Sequence, residues 1–237
     1  DEPPRVTSYT YYGNEEQWGL PNQLKQVDGP RTDVIDIQTY RYAVVHSAEH
    51  SPGDLVEIEN ALGHVVRINK HDSFGRPLDI TSPNGSNEIL TYYPRGWLKS
   101  RSVDGHETSY TYDGLGQLKK ITSPNGSVIM QDYDQAHRLT DIRDNLGNHI
   151  HYTLDPMGNR IGEEIRDPSG VLKKHSLRLM NATNQVEKQI AIVDDIVSNV
   201  TGFLYEINGF LHKVIDPRDP EIEANSPLPN SAQVFSE

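Results

Sequence analysis

DGHETSYTYDGLGQLKKITSPNGS, running from Asp104 to Ser127, alternates polar and apolar residues, turns at a glycine, alternates again and ends on Pro-Asn-Gly. Pieces of it recur. ITSPNGS at 121–127 is repeated letter for letter at 80–86, and TSYTYDG at 108–114 returns as TSYTYYG at 7–13. Self-similarity at a fixed period is the mark of a repeat architecture, and missing it misreads the whole fold.

Working outward, Gly63, Gly85, Gly105, Gly126, Gly147 and Gly170 fall at steps of 22, 20, 21, 21 and 23. A second series interleaves with it: Gly75, Gly96, Gly116, His137 and Gly158, at steps of 21, 20, 21 and 21. Asn-Gly or Asp-Gly between alternating segments is the strongest short-range hairpin signal. Two turns in roughly 21 residues leave two strands of about 6 to 8 residues, near the common strand length. Each repeat therefore reads as a β-hairpin.

The first strand of a repeat carries tyrosines. Tyr110 and Tyr112 lie two apart and share a face, and Tyr93 and Tyr133 hold matching places in neighbouring repeats, with Tyr11 far upstream. An acidic residue such as Asp113 or Asp134 follows, placed to accept backbone hydrogen bonds entering the turn. The second strand carries an aliphatic pair three apart: Leu24 with Val27, Leu55 with Ile58, Leu118 with Ile121, Leu139 with Ile142. In a regular strand that spacing splits the pair between faces. Either a bulge re-aims one residue or both faces are partly covered, and the bulge is the preferred reading.

The pattern degrades toward both ends. Gly29 to Gly63 is a step of 34, with loop insertions expected at 31–36 and 46–52. Val186, Ile190, Val193, Val197 and Val200 fall at helical spacing, but β-branched side chains and Asp194-Asp195 favour strand. Tyr205 to Gly209, followed by Leu211 and Val214, reads as one more unit. The expected organisation is a hairpin array over 1–215, clearest over 55–170, followed by a proline-rich extended or mobile tail over 216–237. A lone two-stranded ribbon is marginal in water, so the hairpins must lie side by side. The fold expected is all-β: repeated antiparallel hairpins in a continuous curled sheet, a solenoid-like strip.

Composition narrows function. Lys plus Arg number 22 against 34 Asp plus Glu, a formal net charge of −12, which argues against a nucleic-acid partner. There is no cysteine, so disulfides, thiolate metal sites and cysteine nucleophiles are excluded. No run of about 18 apolar residues predicts a membrane-spanning helix. The chain starts Asp1-Glu2-Pro3-Pro4, with neither an initiator Met nor a visible signal peptide, and reads as a piece of something longer.

Tyr112-Asp113-Gly114-Leu115-Gly116-Gln117-Leu118-Lys119-Lys120-Ile121 and Tyr133-Asp134-Gln135-Ala136-His137-Arg138-Leu139-Thr140-Asp141-Ile142, phased near 21 residues, resemble the RHS/YD-repeat family. The similarity runs over about 7–216. His71-Asp72, Tyr93-Pro94, Leu154-Asp155 and Tyr205-Glu206 each depart from the Tyr-Asp hallmark at one residue. The resemblance implies a sheet ribbon that spirals into a hollow shell. Bacterial members enclose a C-terminal toxin domain in such a shell and deliver it through a secretion machine or an insecticidal toxin complex; animal relatives are cell-surface adhesion proteins. It further implies, as partners, the rest of a longer chain or its toxin domain, and a secretion spike or toxin-complex subunit. The location it implies is outside the producing cell. The family's self-cleaving junction reads Asp-Pro-x-Gly. Here Asp216-Pro217-Arg218-Asp219 comes nearest and lacks the glycine, so no autoproteolytic residue carries over. A ribbon of 237 residues is also too short to close a full shell.

No catalytic, cofactor-binding or metal-binding residue is expected, and no cofactor. His149 and His151 would share a strand face, but no third ligand stands at a recognisable spacing. Asp194-Asp195 and Glu163-Glu164 are adjacent pairs, which in a strand face opposite ways and read as turn or solvated surface. No nucleophile elbow, phosphate loop or dinucleotide fingerprint is present. Asn84, Asn125, Asn181 and Asn199 sit in Asn-x-Ser/Thr triplets, where turn chemistry already accounts for the first two. The expectation is a non-enzymatic scaffold. The alternative is a carbohydrate- or receptor-binding module using Trp18, Trp97 and the tyrosines, weighed against an aromatic ladder that serves sheet packing.

Overall fold

A computed structural model describes residues 5–14, 16–31, 33–193 and 196–215. Asp194-Asp195, the expected tail over 216–237 and its Asp216-Pro217 dipeptide lie outside the described residues. Eighteen strands and no helix are found among the described residues, so no helix there is long and apolar enough to cross a membrane. They divide into two compact units. One holds the residues up to Thr111 with Thr122–Gly126; the other holds Tyr112–Ile121 with those from Ser127 on.

The first unit is an antiparallel meander of β1 (Ser8–Tyr11), β2 (Leu24–Asp28), β3 (Ile37–Tyr42), β4 (Leu55–Glu59), β5 (Val65–His71), β6 (Pro77–Thr81), β7 (Asn87–Tyr92), β8 (Leu98–Val103) and β9 (His106–Tyr112). β10 (Leu118–Thr122) precedes the second meander: β11 (Val128–Tyr133), β12 (Leu139–Asp144), β13 (His149–Leu154), β14 (Arg160–Arg166), β15 (Leu172–Met180), β16 (Val186–Val193), β17 (Ile196–Tyr205) and β18 (Leu211–Ile215). The helical spacing over 186–200 is thus carried by strands, as β-branching favours. The described residues of both expected insertions, 31–36 and 46–52, carry no strand.

One local rule builds the hairpins. Tyr133 pairs with Leu139, Asp132 with Asp141 and Gln131 with Ile142, so Thr140 is an extra residue and the register shifts there. That bulge returns Leu139 and Ile142 to one face despite their spacing of three. The same shift occurs where Tyr11 meets Leu24, Tyr42 meets Leu55, Tyr92 meets Leu98 and Tyr205 meets Leu211, so Tyr92, not the expected Tyr93, is the counterpart of Tyr133.

The residue after the tyrosine closes the turn. Asp134 Oδ1 accepts the backbone N–H groups of Ala136 and Arg138, both at 2.9 Å, and Asp113 Oδ1 accepts those of Leu115 and Gln117 at the same distance. These bonds hold both carboxyls below the usual carboxylate range. Asn181 makes the same pair to Thr183 and Gln185 with an amide oxygen, so the acceptor matters and the charge does not. The fourth turn residue sits at positive φ, which glycine adopts freely. His137 does so with a side chain, at φ +64°.

Neighbouring hairpins are joined at their turns. In the second unit Gln117 Nε2 donates to the His137 carbonyl at 2.8 Å, and Arg138 Nη1 to the Asp155 carbonyl at 2.7 Å. Asn159 reaches Asn184 with its side-chain amide at 2.5 Å, and Gln185 Nε2 donates to the Gly209 carbonyl at 2.9 Å. Each donor is the fifth residue of its turn. Tyrosine hydroxyls make a second row of ties: Tyr133 to the Leu118 carbonyl, Tyr92 to that of Pro77, Tyr205 to that of Val186. Deep burial is confined to a few side chains. In the second unit Ile190, Val200 and Ile215 form a small core flanked by Leu177, Leu179 and Ile192.

Candidate functional site

The first unit carries a pocket of about 650 Å³, lined by Trp18, Arg41, His50, Glu57, Arg67 and Asn69 among others. It forms where β3, β4 and β5 run antiparallel, with Arg41 from β3, Val56, Glu57 and Glu59 from β4, and Val65 and 67–69 from β5 lining it. The loop before β2 brings Trp18, whose carbonyl accepts the Tyr42 N–H at 2.8 Å. The Trp18 side chain is about half exposed. Arg41 bonds to Glu57 and, at 2.8 Å, to Glu59, while Arg67 Nε stands 3.2 Å from Glu57. The pocket therefore combines a charge-paired network with apolar surface from Val56, Val65 and Ile68.

Beside it lies a cluster of His50, Asp54 and His71, whose ligand atoms all fall within 4.8 Å of one another. His50 and Asp54 come from the loop before β4, and His71 ends β5. The two Nδ1 atoms are 3.1 Å apart, and His71 Nδ1 is 3.8 Å from Asp54 Oδ2. His71 is buried, which pushes its pKa below the ordinary imidazole value against the opposing pull of Asp54.

A second cluster sits in the other unit. His149 and His151 share a face of β13, as their spacing predicts, and Asp141 stands directly opposite His151 on β12. Asp141 Oδ1 lies 2.7 Å from His149 Nε2, 3.0 Å from His151 Nδ1 and 3.1 Å from Arg143 Nη2. Partial burial pushes the Asp141 pKa up, but hydrogen bonds from His151, Thr140 and His149 outweigh it and bring it down to about 2.

The other residues singled out from sequence go to structural work. Glu163 pairs with Lys174 and Glu164 with Arg166, both at 2.7 Å. Trp97 lies under the Arg95 guanidinium, 5.6 Å from ring centre to Cζ, and is not part of the pocket. Asn84 Oδ1 caps the Ser86 N–H. Sequence reasoning missed the His50–Asp54–His71 cluster, because its members stand 4 and 17 residues apart with no familiar ligand spacing. It also missed Asp141 as the third member beside the paired histidines; the signal was there, since Asp141 precedes a hairpin turn that returns eight residues later at His149.

Residues 92–128 and 133–172 match the RHS Repeat family model. The chain is similar to the double-stranded DNA deaminase toxin A of Burkholderia cenocepacia strain H111, 29% identical over 124 residues, 52% of this chain and 8% of that protein. It is similar to human teneurin-4, 30% identical over 113 residues, 47% of this chain and 4% of that one. Two solved structures of TcdB2-TccC3, one with TEV and one without its hypervariable C-terminal region, align with TM-scores of 0.67 and 0.66. Identity in both is 16%, with 86% and 84% of this chain covered and 12% and 11% of theirs. Likeness at that identity establishes the fold alone. The chain spans less than a tenth of the length of the curated relatives it matches.

Proposed function

Taking as premise that the chain is an RHS/YD-repeat segment, we propose that it is a wall section of a longer chain whose repeats enclose or present a toxin domain delivered outside the producing cell. The observation that carries this reading is the turn ladder, Gln117 to His137, Arg138 to Asp155, Asn159 to Asn184 and Gln185 to Gly209. Polar side chains that recur at each turn join one hairpin to the next instead of converging on a reacting centre. Such a strip gains stability from neighbour-to-neighbour interfaces, as repeat arrays do. The named toxin and toxin-complex relatives support the choice of cargo. No reaction is assigned to the segment.

The test uses the longest natural chain that contains these repeats together with whatever domain it carries downstream. Limited proteolysis of that chain is compared with proteolysis of the downstream domain expressed alone. Enclosure predicts that the domain resists cleavage within the native chain and becomes sensitive once the repeats are unfolded. Equal cleavage rates in both settings would sink the proposal.

A second reading rests on Trp18. A half-exposed indole on the rim of a pocket with Arg41, Glu57 and Asn69 offers a stacking face and directional polar groups, the combination that recognises a sugar ring. Titration with a panel of glycans, followed by tryptophan fluorescence, tests it. A saturable change abolished by Trp18→Ala supports carbohydrate binding, and a flat response from the parent chain rejects it.

A further inference from the structure

The two histidine clusters differ in a way that decides which can take a metal. Around Asp141 a single carboxylate oxygen faces both imidazoles and the Arg143 guanidinium. The oxygen that a cation would need is already bonded by Arg143, so a bound cation would meet a fixed positive charge. That cluster is a hydrogen-bonded knot.

At His50, Asp54 and His71 the arrangement is the reverse. Two imidazole nitrogens face each other at 3.1 Å with a carboxylate oxygen at 3.8 Å from one of them, and among the described residues no arginine or lysine bonds to any of the three. Two nitrogens on a tetrahedral Zn²⁺, each at about 2.05 Å, stand roughly 3.3 Å apart. The observed separation is within a few tenths of that edge. Both Nδ1 atoms become available when the proton between them moves to the far Nε2 of its own ring. Asp54 is already aimed, its Oδ2 accepting the Ser51 N–H at 2.8 Å.

The loop that delivers two of the three groups is held in place without any ion. Ala43 N–H donates to the Asp54 carbonyl and Gly53 N–H to the Ala43 carbonyl, each at 2.8 Å, and Ser47 N–H to the His50 carbonyl at 2.9 Å. His71 N–H donates to the Glu49 carbonyl at 2.8 Å, so strand and loop are in direct register. Asp72, next in sequence to His71, is engaged by Arg76 at 2.5 Å and stays outside the set. His50 also lines the pocket, which leaves room for water as a fourth ligand on that side.

We propose that His50, Asp54 and His71 form a three-ligand site for a divalent transition metal, with Zn²⁺ the cation that fits best, clamping the loop before β4 onto the end of β5. Two imidazoles with one carboxylate suit a borderline cation, whereas Ca²⁺ and Mg²⁺ prefer all-oxygen sets. The proposal is independent of the function of the repeats.

The chain is stripped with EDTA, exchanged into metal-free buffer and titrated with ZnCl₂. Calorimetry should give one Zn²⁺ per chain, and the thermal midpoint should rise by roughly 5–10 °C at Zn²⁺ about a hundredfold above Kd. Co²⁺ should give the visible absorption of a four-coordinate ion. His50→Gln and Asp54→Asn should remove the stoichiometric site, while His149→Gln keeps it. His71 is buried, so His71→Gln risks lowering the metal-free midpoint. His50→Gln, altering a half-buried loop residue, keeps the comparison decisive. No binding by the parent chain, binding that survives His50→Gln, or binding lost in His149→Gln would overturn the assignment.

Discussion

The Tyr133 hydroxyl donates to the Leu118 carbonyl at 2.9 Å, and fifteen residues likewise separate Tyr92 from the Pro77 carbonyl it bonds at 3.1 Å. Each bond runs from the end of one strand to the start of another, so a single side-chain oxygen fixes the offset of a hairpin. The phenol ring supplies apolar cover; the hydroxyl supplies register.

Tyr133→Phe separates these two contributions, since it keeps the ring and deletes the hydroxyl. The expected loss is about 1 kcal/mol, the usual value for one such bond. Tyr92→Phe acts in the other unit, so the double variant should lose about the sum. Urea denaturation followed by intrinsic fluorescence measures both. A double variant as stable as the parent would mean that water replaces the hydroxyl without cost.

What could be read from sequence follows from which constraints are local. A turn needing positive φ admits few residues, so the glycine phase exposed the hairpin period directly. The tyrosine, its following acceptor and the Leu-x-x-Ile pair are likewise set within one hairpin, and the bulge at Thr140 is their shared solution. The turn ladder was hidden because Gln117, Arg138, Asn159 and Gln185 have only their turn position in common. Each reaches a backbone or amide group 20 or more residues away in chain except Arg138, which reaches 17. The His50–Asp54–His71 cluster was hidden for a related reason. Pairing of β4 with β5 brings these residues together, and no local pattern announces it.

Gly126 and His137 test the turn rule from opposite sides. Gly126 has φ +82°, and a Cβ added there would meet nothing within 4 Å, so Gly126→Ala costs only backbone strain. That cost should be about 1 kcal/mol. His137 bears the same kind of strain with φ +64°. His137→Gly relieves it but adds freedom to the unfolded chain, and the two effects nearly cancel, leaving a change under about 0.5 kcal/mol. Chemical denaturation of both variants checks the contrast. Equal losses would show that side-chain contacts, not backbone conformation, select the residue at this position.

Asp141 predicts an acid limb in the stability of the second unit. Its pKa is lowered from 3.8 to about 2 by His151, Thr140 and His149, with Arg143 also bonded to the same oxygen. A carboxyl with a lower pKa in the folded state stabilises the fold above its unfolded value. That stabilisation is present above pH 4 and is lost as pH falls toward 2. The difference is worth about 2 kcal/mol. Asp141→Asn should flatten this part of the profile when urea midpoints at pH 5, 4 and 3 are compared with the parent. An unchanged profile would assign the acid limb to other carboxylates.

Ile190 is the side chain on which the small core of the second unit depends. It is 2% exposed, in the middle of β16, directly opposite Leu177 on β15 and Val200 on β17. A sheet with so few buried residues has little material with which to refill a void, so truncation there leaves a cavity. Ile190→Ala should cost about 3 kcal/mol and Ile190→Val about 1, whereas Leu62→Ala, at a residue 79% exposed in a turn, should cost under about 0.5. Because β16 has a strand on each side, the loss should also lower amide protection in β15 and β17 before it affects β3 to β8. Hydrogen exchange resolved along the chain distinguishes that from a uniform loss. Uniform loss would mean that the two units unfold as one.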